Sequence, residues 1–115
     1  MKLTLFISVL MVLGIAPVHA ACTAPDVAVQ IPNGLTATLD EMKAAQAAVK
    51  AANAAVSDYT ACLQQEQNDK IAGGGDKTKI QKAYAKLNDE EVDKLQQVVD
   101  KFNAELRAYK GRGTG

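Results

Sequence analysis

Cys22 and Cys62 are the residues whose type and placement most directly imply a covalent event. They are the two cysteines of the chain, and they are not spaced as the Cys-x-x-Cys pair of a redox enzyme, so a structural disulfide is the expected chemistry. Other reactive groups are sparse. The single histidine, His19, lies in a segment read below as a leader, which leaves no imidazole in the mature chain for base catalysis or metal ligation. Ser57 is the serine beyond that segment and sits at an exposed helical position. With both thiols bridged, no sulfur nucleophile remains. Asp89, Glu90, Glu91 and Asp93 cluster, but carboxylates near a helix start usually form a solvated, dipole-favoured face. A weak calcium site is the alternative, although the run lacks the alternating oxygen ligands and glycine of an EF-hand loop. Gly73-Gly74-Gly75 invites comparison with a phosphate loop, yet no strand precedes it and no Gly-Lys-Ser/Thr follows. The expectation is a protein that is not an enzyme, with no catalytic residue, cofactor or metal site.

The elements that must hold Cys22 and Cys62 together follow from the rest of the chain. Lys2, the apolar run Leu3 to Ala16, Pro17 and then Val18-His19-Ala20 have the order of a secretory signal peptide, residues 1–20, with cleavage after Ala20. The run spans about 14 residues where a membrane helix needs roughly 20, so no membrane span is expected after cleavage. Lipidation at Cys22 would call for an aliphatic residue three positions earlier, and His19 stands there. Export into an oxidising compartment suits the disulfide, and the expected location is periplasmic or secreted, in a bacterium.

The mature chain is expected to be one small domain. The sequence has 13 basic and 13 acidic residues, and loss of Lys2 leaves a net charge of −1, too weak a field to steer nucleic acid. Abundant alanine, no tryptophan and few aromatic residues favour long helices. Thr38-Leu39-Asp40-Glu41 has capping-box spacing, with Thr36 as an earlier alternative cap. Leu35, Met42, Val49, Val56 and Leu63 recur every seven residues, interleaved with Thr38, Ala45, Ala52 and Tyr59, which is a helix-packing seam. The turn is expected at 72–75. Beyond it Ile80, Tyr84 and Leu87, then Glu91, Leu95 and Val98, then Phe102, Leu106 and Tyr109 form three sets offset by eleven, a stripe suited to a nearly straight helix. Glu91 interrupts that stripe. Asn88-Asp89-Glu90-Glu91 also resembles a helix start, which leaves open a kink or a fresh cap near Asn88, with Val92 taking over the apolar contact.

The fold class expected is all-α: an antiparallel two-helix, coiled-coil-like hairpin over 36–110, preceded by an extended strip at 21–35 and followed by a flexible tail at 111–115. Prolines 25 and 32 keep the strip extended, and Val27, Val29 and Ile31 give it one apolar edge. Thirteen extended steps reach roughly 43 Å at about 3.3 Å each; a helix from about Thr36 to Cys62 covers roughly 39 Å. A strip reversing at Asn33-Gly34 therefore brings Cys22 beside Cys62. Leu39, Val92 and Val99 remain on the flanks, where either a second copy pairs with them or the strip covers them.

Cys22-Thr-Ala-Pro25, Ile31-Pro-Asn-Gly34, the region of Met42, Tyr59-Thr-Ala-Cys62-Leu63, and Phe102-Asn103 with Arg107-Ala-Tyr109-Lys110 resemble stretches of small secreted helical proteins of proteobacteria. The resemblance spans most of the mature chain through loose motifs. It implies a periplasmic or secreted setting and a cysteine-tied helical hairpin, and it transfers no activity, cofactor or substrate. Two functions are expected from these readings: helix-mediated protein–protein interaction or a structural role, with a homodimer as one form of it, and alternatively a ligand-binding or holdase-like stress module.

Overall fold

The computed structural model describes residues 21–114; the expected signal peptide at 1–20 lies outside them. Two helices account for most of what is described, α1 at Leu39–Ala72 and α2 at Lys77–Gly111, followed by one 3₁₀ turn at Arg112–Thr114, and no strand occurs among the described residues. At 34 and 35 residues, each helix is about 50 Å long.

Local chemistry sets both ends of α1. Thr38 is the N-cap: its hydroxyl accepts from the Glu41 N–H at 3.1 Å while the Thr38 N–H donates to the Glu41 carboxylate at 2.8 Å, so two otherwise orphaned donors are satisfied reciprocally. The helix thus begins at Leu39 rather than Thr36. At the other end the Gly75 N–H reaches the Lys70 carbonyl and the Gly74 N–H the Ile71 carbonyl, and Gly74 adopts φ 93°. This paired arrangement around a left-handed residue needs glycine. Asp76 then caps α2 by accepting from the Lys79 N–H at 3.0 Å.

The extended strip precedes the hairpin and lies back along it. Its reversal is an Asx-type turn: the Asn33 side chain accepts from the Leu35 N–H at 2.9 Å, and its carbonyl accepts from the N–H groups of Thr36 and Ala37. Gly34 is buried against α2, where its N–H donates to the Glu105 carboxylate at 2.6 Å. A Cβ at this position would collide with the Glu105 backbone carbonyl. At the far end of the strip Cys22 and Cys62 form the disulfide, with their Cα atoms 5.8 Å apart.

Three apolar layers run along the hairpin, and the strip contributes to each. Ile31 packs with Ala37, Met42, Ala45 and Phe102 near the N-terminus of α1; Val27 packs with Ala52, Val56 and Leu95 at mid-length; Cys22 packs with Tyr59, Leu63 and Tyr84 toward the turn. The alanines at 45 and 52 leave room for the strip, which is why a heptad seam alternating large and small residues accommodates both a helix and an extended segment.

Four expectations are corrected. Leu87 is 41% exposed and lies outside the seam, as does Leu35 at 64%; Leu35 falls within the Asn33 turn, ahead of α1, and does not share the helical phase. α2 runs unbroken through Asn88, with no new cap there. Glu91 keeps its place in the stripe at 3% exposure while Val92 is 42% exposed. Rotating α2 to bury Val92 instead would turn its neighbours Leu95 and Val98 out of register, because each residue advances about 100° around the axis. Finally, Gly111 belongs to α2 and Arg112 is tied back, its guanidinium donating to the Ala37 carbonyl and lying 4.6 Å from the Tyr109 ring centroid.

Candidate interaction surfaces

The hairpin has a groove on each of its two faces, and they are treated differently. One groove is filled by the strip. Of the expected seam residues, Met42, Val56, Tyr59, Leu63, Tyr84 and Phe102 are buried, and Val49, Ile80, Leu95, Val98 and Leu106 are half-buried. Beside the strip a cleft of about 440 Å³ remains, with Pro25, Val27 and Val29 on one wall and Val98 and Lys101 on the other.

Two further clefts between the helices contain no strip residue. One, of about 400 Å³, is bounded by Thr60, Gln64, Gln67, Gln81 and Asn88; the other, of about 300 Å³, by Leu39, Met42, Gln46, Phe102 and Leu106. Across the first, the Thr60 hydroxyl donates to the Asn88 side-chain oxygen at 2.9 Å. Helical spacing places Val92 and Val99 four and eleven residues beyond Asn88, on the same stripe of α2. The uncovered face is therefore one of amides and aliphatic side chains, with Leu39 53% and Val92 42% exposed.

Glu91 is the chemically unusual residue. It is followed at one helical turn by Lys94, whose ammonium pairs with Glu91 Oε1 at 2.8 Å, but Glu91 Oε2 is buried with no hydrogen-bond partner. The Glu91 side chain is 4% exposed and that of Lys94 59%. Tyr59 faces it from α1: burial raises the phenol above its usual range, and the Glu91 and Glu90 charges push it further the same way. Hydrogen bonding to Glu91, reinforced by its charge, raises Lys94. Nearer the turn, Lys70 lies 5.3 Å from the Tyr84 ring centroid and 3.7 Å from Glu66, and hydrogen bonding to Tyr84 chiefly raises it.

The remaining members of the acidic run, Asp89, Glu90 and Asp93, are exposed and share the outward side of α2, Asp93 lying one turn beyond Asp89 and Glu90. No group of three or more His, Cys, Asp or Glu side chains converges on a metal position among the described residues. Among them also, no cysteine is free, and no helix is long and apolar enough to cross a membrane.

Sequence periodicity placed Glu91 on the inner stripe without showing that it would stay there. The Gly34–Glu105 and Arg112–Ala37 contacts had no sequence signal, since each joins residues more than seventy positions apart. The fold and its grooves define a disulfide-strapped, antiparallel helical hairpin. No family model, curated protein or solved structure matches the chain.

Proposed function

We propose that this is an exported, non-enzymatic periplasmic protein that acts by offering its uncovered helical face to another protein, of the kind the small secreted helical-hairpin proteins of proteobacteria represent. The observation that carries the reading is the asymmetry of the grooves: the strip covers one, while the other leaves Leu39 and Val92 in water. The signal-like order of residues 2–20 and a disulfide in the following segment support export. Catalysis finds little to work with, because the cysteines are tied to each other and the buried carboxylate is covered rather than placed at a cleft.

Helix-in-groove recognition needs apolar anchors at helical spacing, and the Leu39 and Val92 stripes supply them. A second copy is one partner that meets the same requirement, since two such faces would complete a four-helix bundle. A photo-reactive side chain at position 92, with the protein in its native compartment, is expected to trap a polypeptide, whether a second copy or another chain. The same probe at exposed Lys86 is the control. Trapping nothing at 92, or the same products at both positions, overturns the reading.

The ligand-binding or holdase-like alternative draws on one specific feature, the cleft of about 440 Å³ between the strip and α2. Binding of a hydrophobic dye that is lost on Val98→Asp would favour it; a sample that neither binds the dye nor suppresses aggregation of a test protein excludes it.

A further inference from the structure

The strip is held at its two ends by different means. At residues 33–37 it enters the hairpin through the Asn33 turn and the Gly34–Glu105 hydrogen bond. At Cys22 it is held by the disulfide. Between these points Val27 and Ile31 rest on the apolar layers, and the polar contact within the segment, Ala28 N–H to the Asp26 carboxylate at 2.9 Å, is internal to it.

What lies beneath this segment opposes its closure. Tyr84 packs in the layer that contains Cys22, and Leu95 in the layer that contains Val27; Glu91 stands between them on the same stripe of α2. The part of the strip between Cys22 and Val27 therefore crosses Glu91, and residues 23–26 bring no hydrogen bond to its buried Oε2. A carboxylate oxygen kept from water without a donor disfavours the covered state. Lifting the strip would return that oxygen to water.

We infer that residues 22–32 form a redox-released strap, held over the groove by the Cys22–Cys62 bond against the cost of burying Glu91, and set free when that bond is reduced. Cys62 is exposed and Cys22 half-buried, so a small or protein dithiol can reach the bond. One thiolate of the dithiol attacks a disulfide sulfur, forming a mixed disulfide and releasing one cysteine as its thiolate. The second thiolate then displaces the other cysteine. Two electrons and two protons pass in all, the dithiol is oxidised to its disulfide, and Cys22 and Cys62 become thiols. The turn at Asn33 and both helix caps are untouched by the exchange, so the hairpin remains while the strap opens. This inference concerns the groove opposite the proposed partner face and does not depend on that face.

The test is NMR of the mature protein, oxidised and then reduced with dithiothreitol, with circular dichroism on the same samples. Backbone order parameters of residues 23–31 should fall from about 0.85 to below about 0.6 on reduction, and the contacts of Val27 with the Ala52–Val56 layer should disappear while helical ellipticity is retained. A Cys22→Ser/Cys62→Ser chain should match the reduced protein. In reduced Glu91→Leu the strap should stay ordered, because no buried oxygen then opposes closure. A strap that stays ordered in the reduced wild type overturns the inference, as does loss of the helices on reduction, which would make the bond a plain staple. Equal mobilisation in reduced wild type and Glu91→Leu overturns the opposing role given to Glu91.

Discussion

Glu91 and Gly34 show how single residues here answer to neighbours remote in sequence. Replacing Glu91 with Leu removes a buried oxygen that lacks a donor and leaves Lys94, which is 59% exposed, to water. The expected outcome is a gain of roughly 1–3 kcal/mol, read as a higher denaturant midpoint with an unchanged slope. Gly34→Ala runs the other way. Its new methyl group meets the Glu105 backbone, so the turn must shift and strain its hydrogen bond, for a loss of about 1–3 kcal/mol, measured in the same denaturation series. Tyr59 gives the pH dependence. Its folded pKa is raised, first by burial and then by the Glu91 and Glu90 charges, so the folded state holds the phenolic proton more tightly than the unfolded chain. The corresponding stability is fully present below the ordinary value of about 10 and is lost as pH rises through the higher folded value. Lys94 is also raised, by its contact with Glu91, and its contribution is lost in the same alkaline direction. Tyr59→Phe should therefore flatten, without abolishing, the fall in melting temperature above pH 10, as followed by ellipticity.

At the scale of elements, the capping box makes the start of α1 the most legible boundary in the chain. Thr38→Ala removes the acceptor of the Glu41 N–H and is expected to cost about 1 kcal/mol, seen as a lower melting temperature with little change in helical content at 25 °C. The turn was legible for a similar reason: three consecutive glycines announce a reversal, and Gly74 with φ 93° uses the freedom they provide. Periodicity also gave the inner face of α1, where Met42, Val56 and Leu63 are buried. It was less reliable in α2. An eleven-residue repeat placed Leu87 inward, whereas side-chain exposure depends on what faces each position across the hairpin. The acidic run Asp89–Glu91 looked like a helix start because local preference favours carboxylates there; tertiary packing overrode it and carried one continuous helix through. The matched lengths of strip and helix made the disulfide legible, while the orphaned oxygen of Glu91 and the close seat of Gly34 depend on atomic placement that no local pattern encodes.

Considered whole, the molecule is a two-helix layer with an extended strip in one groove, and no side chain among the described residues is entirely sealed from solvent. Such a thin core gives the disulfide unusual weight. Its sequence separation of 40 residues corresponds to a stabilisation of about 4 kcal/mol on the chain-entropy model. Typical stabilities of about 0.05–0.15 kcal/mol per residue give a domain of this size roughly 5–14 kcal/mol, so the bond supplies between a quarter and most of the total. Part of that gain is offset in the oxidised state by holding the strip over Glu91, and the two effects can be separated in a double-mutant cycle of the cysteine pair and Glu91. Removing the cysteines from wild type is expected to lower the melting temperature while leaving a helical protein at 25 °C. Removing them from Glu91→Leu should produce a larger drop, since no buried oxygen then offsets what the bond contributes. Equal drops in the two backgrounds would show that the bond acts on the unfolded chain alone, without regard to what the strip covers.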